Sequence, residues 1–399
     1  MTDASRLPLP PPPPPFGGGG ASAVPAPKPN PMPAPAPAAS PQPAASKQPS
    51  LAEIVRQAYE HDYSDVHVGV GEVPRFRDRG EIVQTTYPVT DTATFNGWLR
   101  EVLTEEQVRE FEQGLDFDGA TQYDFARVRI NIFGSLRGPS MVLRLIPLRI
   151  LSLDELSLPP VFRDICYYPK GLVLVTGPTG SGKSTTLAAM IDFINQEMAK
   201  NIITIEDPIE FVHQSQRSLI KQREVGVHTL KFEAALRASL REDPDIILVG
   251  ELRDRETINT ALKAAQTGHL VMATLHTNSA VKTIERVLNM FEPAEQPPVR
   301  VALAESLVAI IAQGLCRTIQ GKRAAYHEIL INTDAIKDYI IRGELEEVEQ
   351  LIPKCTFDGM CTSNQSLFRL FNEGRISEET ALSQSSKPNE MSQMLRGRV

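Results

Sequence analysis

No apolar stretch in the 399-residue chain approaches the ~20 residues that a membrane-crossing helix needs. Any membrane association is therefore expected to be peripheral. Cysteine is scarce: Cys166, Cys316, Cys355 and Cys361 are scattered along the chain. That favours a reducing compartment, the cytosol, over a disulfide framework. Cys355 and Cys361 lie close together, but a zinc site would need a second pair. All four read as unligated thiols. Positive charge is in deficit, with 41 Lys and Arg against 49 Asp and Glu and a net charge of −8. Nucleic acid, which calls for a basic face, is not an expected partner. No internal repeat is visible. Histidine is also sparse, at seven residues. Two of the seven, His269 and His276, bracket the apolar run LVMATL.

Proline, by contrast, is concentrated: 17 of the 32 prolines fall in the first 50 residues. That tract carries no helical or strand period and too little apolar surface to offset its ordering entropy. It is expected to be disordered with polyproline II character. It lacks the continuous apolar segment of a signal peptide. It serves either as a passive linker or as a tether for an aromatic-lined partner groove.

From Leu51 the pattern becomes globular. SLAEIVRQAYEHDY (50–63) has a helical period, and DVHVGV (65–70) alternates as a strand. TEEQ (104–107) is a capping-box signature for a second helix. YDFARVRINIF (123–133) and SMVLRLIP (140–147) read as a hairpin around GSLRG. Residues 51–148 thus form a small mixed α/β domain. After a proline-containing connector, four short apolar runs alternate with helical periods: GLVLVTG (171–177), IITIED (202–207), DIILVG (245–250) and HLVMATLH (269–276). Such runs suit a parallel sheet buried on both faces. They give a P-loop-type α/β domain over 149–345. Helices are expected over VRVALAESLVAIIAQG (299–314) and again in a C-terminal helical region, 346–399.

GPTGSGKST (177–185) is a complete Walker A motif placed between a strand and a helix. Gly177, Gly180 and Gly182 let the backbone N–H groups of the loop converge on phosphate, and Pro178, Thr179 and Ser181 complete the expected nucleotide-binding loop. Lys183 supplies a cation, Ser184 offers a hydroxyl to Mg²⁺, and the helix opening at Lys183–Thr185 adds its dipole. The bound nucleotide is expected to be ATP with Mg²⁺. In REDPDIILVGELRD (241–254), Glu251 ends an apolar strand at the sheet edge where ligands bind. Asp243 and Asp245 should sit at the other end. TIEDPIEF (204–211) places Glu206, Asp207 and Glu210 just past a strand, and composition alone does not choose among them. His269 and His276 could be metal ligands, acid–base groups, phosphate sensors or structural residues. Arg127, Arg129, Arg137 and Arg144 either form a solvated strand face or reach a nucleotide. Arg237, Arg241 and Arg253 could serve the same site from within the chain.

In this order along the chain, the Walker A loop, TIEDPIEF, DPDIILVGELRD and TGHLVMATLHTN resemble the secretion-ATPase superfamily, and within it the type IV pilus retraction ATPases. SDVHV (64–68), RVRINIFGSLRG (127–138) and LRLIP (143–147) resemble that family's PAS-like N-terminal domain. LAESLVAIIAQGLC (303–316) and HEILI (327–331) also match. The resemblance implies an α/β fold, with a RecA-like P-loop ATPase domain preceded by a smaller PAS-like domain. It implies a ring-shaped homo-hexamer with ATP sites between subunits, hydrolysing ATP to do mechanical work. The partners implied are an inner-membrane pilus platform protein and a related pilus ATPase paralogue, met at the cytoplasmic face of the membrane.

Residue by residue, Glu210 resembles the general base and Glu251 the Walker B glutamate. Glu206 and Asp207 would help hold the Mg²⁺ shell. His276 and His269 resemble the His-box pair that senses phosphate. Arg129, Arg137 and Arg144 resemble arginines that reach a neighbouring subunit's ATP. One departure is AIKDYIIRG (335–343), where retraction ATPases carry a sequence like AIRNLIREG. Its apolar positions are kept and its charges are changed. Two other functions compete with retraction. One is a pilus-assembly or type II secretion ATPase. The other is an accessory ATP-binding paralogue that regulates another motor.

Overall fold

The computed structural model describes residues 49–78 and 80–397. The expected disordered tract, 1–50, falls almost wholly outside them. The first part contains α1 (Leu51–Glu60), β1 (Asp65–Gly69), β2 (Arg75–Asp78), β3 (Glu81–Gln84), α2 (Thr92–Val102), α3 (Glu105–Gly114), β4 (Asp116–Gln122), β5 (Ala126–Ser135) and β6 (Gly138–Pro147). Ser50 and Glu53 close a capping box on α1, and Thr104 and Gln107 close one on α3. Helix α2, which no motif announced, starts at the Asp91 cap.

The six strands form an antiparallel sheet in the order β3-β2-β1-β6-β5-β4. Alternation along β5 sends Ala126, Val128, Ile130 and Ile132 into a core with Phe95 and Trp98. Arg127 and Arg129 therefore share the opposite face, and Arg144 of β6 stands directly across from Arg129. Like charges facing each other across a sheet repel. Here each has an acid: Arg129 Nη2 is 2.7 Å from Asp118, and Arg144 Nε is 2.8 Å from the buried Asp65.

The second part runs through α4 (Val161–Cys166), β7 (Gly171–Thr176), α5 (Lys183–Glu197), β8 (Asn201–Glu206), β9 (Leu219–Glu224), α6 (Phe232–Ser239), β10 (Ile246–Val249), α7 (Arg255–Gln266), β11 (Leu270–Leu275), α8 (Ala280–Leu288), α9 (Gln296–Ser306), β12 (Leu307–Arg317) and β13 (Arg323–Ile331). The helices α10 (Asp334–Arg342), α11 (Leu345–Leu351), α12 (Ser363–Asn372), α13 (Glu378–Gln384) and α14 (Pro388–Leu395) follow. Seven strands make one sheet, β13-β12-β7-β11-β10-β8-β9, parallel throughout except at β12–β13. Buried apolar clusters cover both faces, which explains the continuous apolar runs.

The helix expected over 299–314 is a correction. Helix α9 ends at Ser306, and Leu307–Arg317 is strand β12, paired with β7 on one side and β13 on the other. A continuous apolar run carries no period that separates a buried helix from a buried strand. The β-branched residues Val308, Ile310 and Ile311 favour the strand. The order of strands then sets the site. The carboxyl ends of β7, β8, β10 and β11 lie at one edge, and each is followed by one of the motif segments.

Candidate functional site

The loop between β7 and α5 is shaped by its glycines. Gly177 has φ 144°, and a Cβ there would stand 2.2 Å from the Gln313 carbonyl oxygen. Gly182, at φ 86°, is the N-cap of α5 and offers no side chain. The first N–H groups of α5 thus begin without a side-chain acceptor, as an anion-binding helix start requires. Lys183 is buried, and its Nζ donates to the carbonyls of Gly177 (2.8 Å) and Pro178 (3.1 Å). Burial lowers its pKa, against the opposing charges of Glu251 and Glu210.

One cleft gathers Thr179, Gly180, Gly182, Lys183, Ser184 and Thr185 from this loop. Opposite them lie Glu206, Asp207 and Glu210 from the β8 end, Glu251 and Arg253 from the β10 end, and His276 from the β11 end. Glu251 is held from two sides, by Arg253 Nε at 2.7 Å and His276 Nε2 at 3.1 Å. Arg253 also reaches Asp207 at 3.6 Å. Glu206 accepts from Thr204 Oγ1 (2.6 Å) and Gln222 Nε2 (3.2 Å). Burial raises its pKa despite those bonds. It is the least suited of the three acids to carry charge toward a metal. Gly177, Pro178 and Ser181 shape the loop from behind its lining.

Two histidines that look equivalent in sequence are separated by the whole of β11. His276 faces the cleft. His269 stands at the amino end, where its Nδ1 donates to the Ala264 carbonyl (3.0 Å) near the end of α7. Six strand residues span about 20 Å, so the cleft does not include His269. Asp245 lies at that same far end, bonded to Lys200 and Asn201. Arg144 lines the cleft of its own chain, whereas Arg129 and Arg137 do not. Arg129 is engaged by Asp118, which raises its pKa. Arg137 lies in the turn between β5 and β6. Arg253 is present, and Arg237 pairs instead with Glu233 on α6. Arg323 of β13 joins the lining without any motif to announce it.

Behind the loop is a buried network that no motif revealed. Gln313 on β12 donates from Nε2 to the Ser181 carbonyl (2.6 Å). Its Oε1 accepts from Thr186 Oγ1 (2.8 Å) and from His327 Nε2 (3.1 Å). Burial pushes His327 down to about 3, with Arg369 adding to the shift. The ring is therefore neutral, and it fixes the amide that fixes the loop.

As an arrangement, the cleft offers a cation, a hydroxyl, helix N–H groups and several carboxylates around one space. That set suits a polyphosphate and a hard divalent cation. Mg²⁺ takes few protein ligands and relies on phosphate oxygens, and Ser184 with Glu251 fits that demand.

Residues 42–363 match the family model described as type II/IV secretion system protein. A twitching motility protein of Neisseria gonorrhoeae is 46% identical over 321 residues, covering 80% of this chain and 86% of that protein. The type IV pilus retraction ATPase PilT of Pseudomonas aeruginosa is 44% identical over 339 residues, covering 85% of this chain and 98% of its own. A crystal structure of the pilus retraction motor PilT with bound ADP superposes with a TM-score of 0.81 at 40% identity. That match covers 87% of this chain and 100% of the other.

Proposed function

The chain belongs to the type II/IV secretion system protein family, and from that premise we propose that it is an ATP-hydrolysing motor that powers type IV pilus retraction and twitching motility. The observation that carries this reading is the convergence of Lys183, Ser184, Glu210, Glu251 and His276 on one cleft, in a chain 44% identical to a retraction ATPase. Residues 51–148 are taken as a PAS-like domain, 149–345 as a RecA-like P-loop ATPase domain and 346–399 as a C-terminal helical region. Six copies are taken to form a ring at the cytoplasmic face of the inner membrane, acting on the pilus platform protein.

In the proposed chemistry, the loop N–H groups and Lys183 bind the phosphates of ATP. A Mg²⁺ ion held by Ser184 and, through water, by Glu251 would neutralise phosphate charge. Glu210 accepts a proton from water as its oxygen attacks the γ-phosphorus. The bond to the β,γ-bridging oxygen breaks, and ADP leaves with that electron pair. His276, bonded to Glu251, is placed to report the loss of the γ-phosphate. Arg144 adds positive charge from the N-terminal sheet. The work comes from differential binding of ATP and ADP to two conformations.

A second reading, an accessory paralogue, is favoured by α10. That helix buries Ile336 and Ile340 and pairs Asp338 with Arg342 at 2.7 Å, which gives it an outer charge pattern of its own. Deleting the gene separates the readings. Extra surface pili with lost twitching are expected. Bald cells would make it an assembly motor, and unchanged piliation would favour the accessory role.

A further inference from the structure

The segment 207–218 between β8 and β9 carries Glu210 and has no regular secondary structure. Its main-chain groups still need partners, and strand β9 supplies them from side chains two residues apart on one face. Glu224 Oε2 accepts from the Ile209 N–H (3.0 Å). Gln222 Nε2 donates to the Phe211 carbonyl (2.8 Å), and its Oε1 accepts from the His213 N–H (2.8 Å). Residues 209, 211 and 213 are thus tied down, with Glu210 between the first two.

Two further bonds come from the other sheet. Arg127 of β5 donates from Nε to the Ile209 carbonyl (3.0 Å) and from Nη2 to Glu224 Oε2 (2.9 Å). Ile209 is thereby held at both its N–H and its C=O. The ion pair is enclosed, with side-chain exposure of 16% for Arg127 and 8% for Glu224. A guanidinium suits this task because its planar fork makes both bonds at once, which an ammonium on a flexible stem does not.

We propose that Arg127 and Glu224 are positioning residues that couple the N-terminal six-stranded sheet to Glu210. When that sheet shifts relative to the cleft, the clamp moves the backbone next to the base. Hydrolysis is then permitted only with the sheet docked. The inference rests on the reading of Glu210 as the base, and it concerns a contact within one chain. An ångström of misplacement at a reacting group can cost about 10²-fold in rate, so a clamp one residue away has leverage.

The test must separate stability from positioning. Arg127→Met leaves the Glu224 carboxylate buried without its cation, which is destabilising in itself. Arg127→Met/Glu224→Gln removes that unpaired charge and keeps an acceptor for the Ile209 N–H. The double variant is expected to regain most of the thermal stability lost in Arg127→Met. Its kcat should remain at least tenfold below wild type, with ATP affinity unchanged. Arg127→Lys should also turn over slowly. Amide exchange over 207–214 reads the contact without turnover and should quicken in the double variant, with α5 unaffected. Wild-type kcat in the double variant would overturn the positioning role, whether or not exchange changes. Failure of the base assignment is seen elsewhere, as wild-type turnover in Glu210→Gln.

Discussion

Glu210 differs from its neighbouring acids by what surrounds it. Glu206 is turned to Thr204 and Gln222, Asp207 and Glu251 share Arg253, and Glu251 also holds His276. Glu210 lines the cleft with its own backbone clamped on either side. The Glu210→Gln variant is therefore expected to bind ATP as wild type does and to lose about 10²–10⁴-fold in kcat. Nucleotide titration beside a phosphate-release assay checks both halves, and undiminished turnover would remove Glu210 as the base. His327 gives a prediction of a different kind. Burial depresses its folded-state pKa to about 3, against about 6.5 when unfolded. The unfolded chain therefore takes up a proton that the folded chain refuses. The stability contribution is full above pH ~6.5 and is lost progressively as pH falls toward ~3. His213, pushed down to about 4 by burial, acts in the same window. The melting temperature should fall on acidification through this range. The fall should be shallower in His327→Gln, and an equal slope in that variant would assign the loss elsewhere.

At the scale of elements, β12 shows both what the residues announce and what they withhold. β7, β8, β10 and β11 are legible because each apolar run ends in a chemically marked segment that must reach the sheet edge. The Walker A loop and Glu251 could be assembled from those ends, whereas Glu210 and His276 were singled out only by the family resemblance. LVAIIAQGLC offers no such mark, and the two edge strands β9 and β13 mix polar and apolar residues. Half of the sheet's flank was therefore hidden. So were Gln313, which meets the phosphate loop from a strand more than 100 residues away, and His327 behind it. Gln222 and Glu224 were hidden too, because their partners in the Glu210 segment are main-chain groups that carry no side-chain signal. His269 was misleading for the converse reason: symmetry in sequence about a strand means opposite ends in space. Gly314 tests the β12–β13 pairing directly. A Cβ there would lie 2.3 Å from the ring of Tyr326, the residue paired with it. Gly314→Ala should destabilise the fold by about 1–3 kcal/mol through this overpacking, read as a lowered urea midpoint with an unchanged slope. An unchanged midpoint would mean that Tyr326 swings aside without cost.

At the scale of the whole molecule, three arginines of the N-terminal sheet take three different places. Arg144 faces its own chain's cleft, Arg127 clamps the Glu210 segment, and Arg137 lies outside the cleft at the β5–β6 turn. A role for Arg137 in hydrolysis therefore requires a second copy to present its own cleft, as head-to-tail contacts in a ring would. The consequence is testable by mixing. Arg137→Ala and Glu210→Gln should each be inactive alone. Co-assembled in equal amounts, they should regain activity, since about one head-to-tail interface in four then combines an intact Glu210 with a neighbour's intact Arg137. Were Arg137 to act within its own chain, no mixed interface would be complete and the mixture would stay inactive. The same experiment with Arg127→Met/Glu224→Gln in place of Arg137→Ala should give the opposite result. Its defect and the Glu210 it positions belong to one chain, so every site with an intact Glu210 would also carry the broken clamp. Recovery in the first mixture and none in the second would assign one arginine to the neighbour and the other to the chain that bears it.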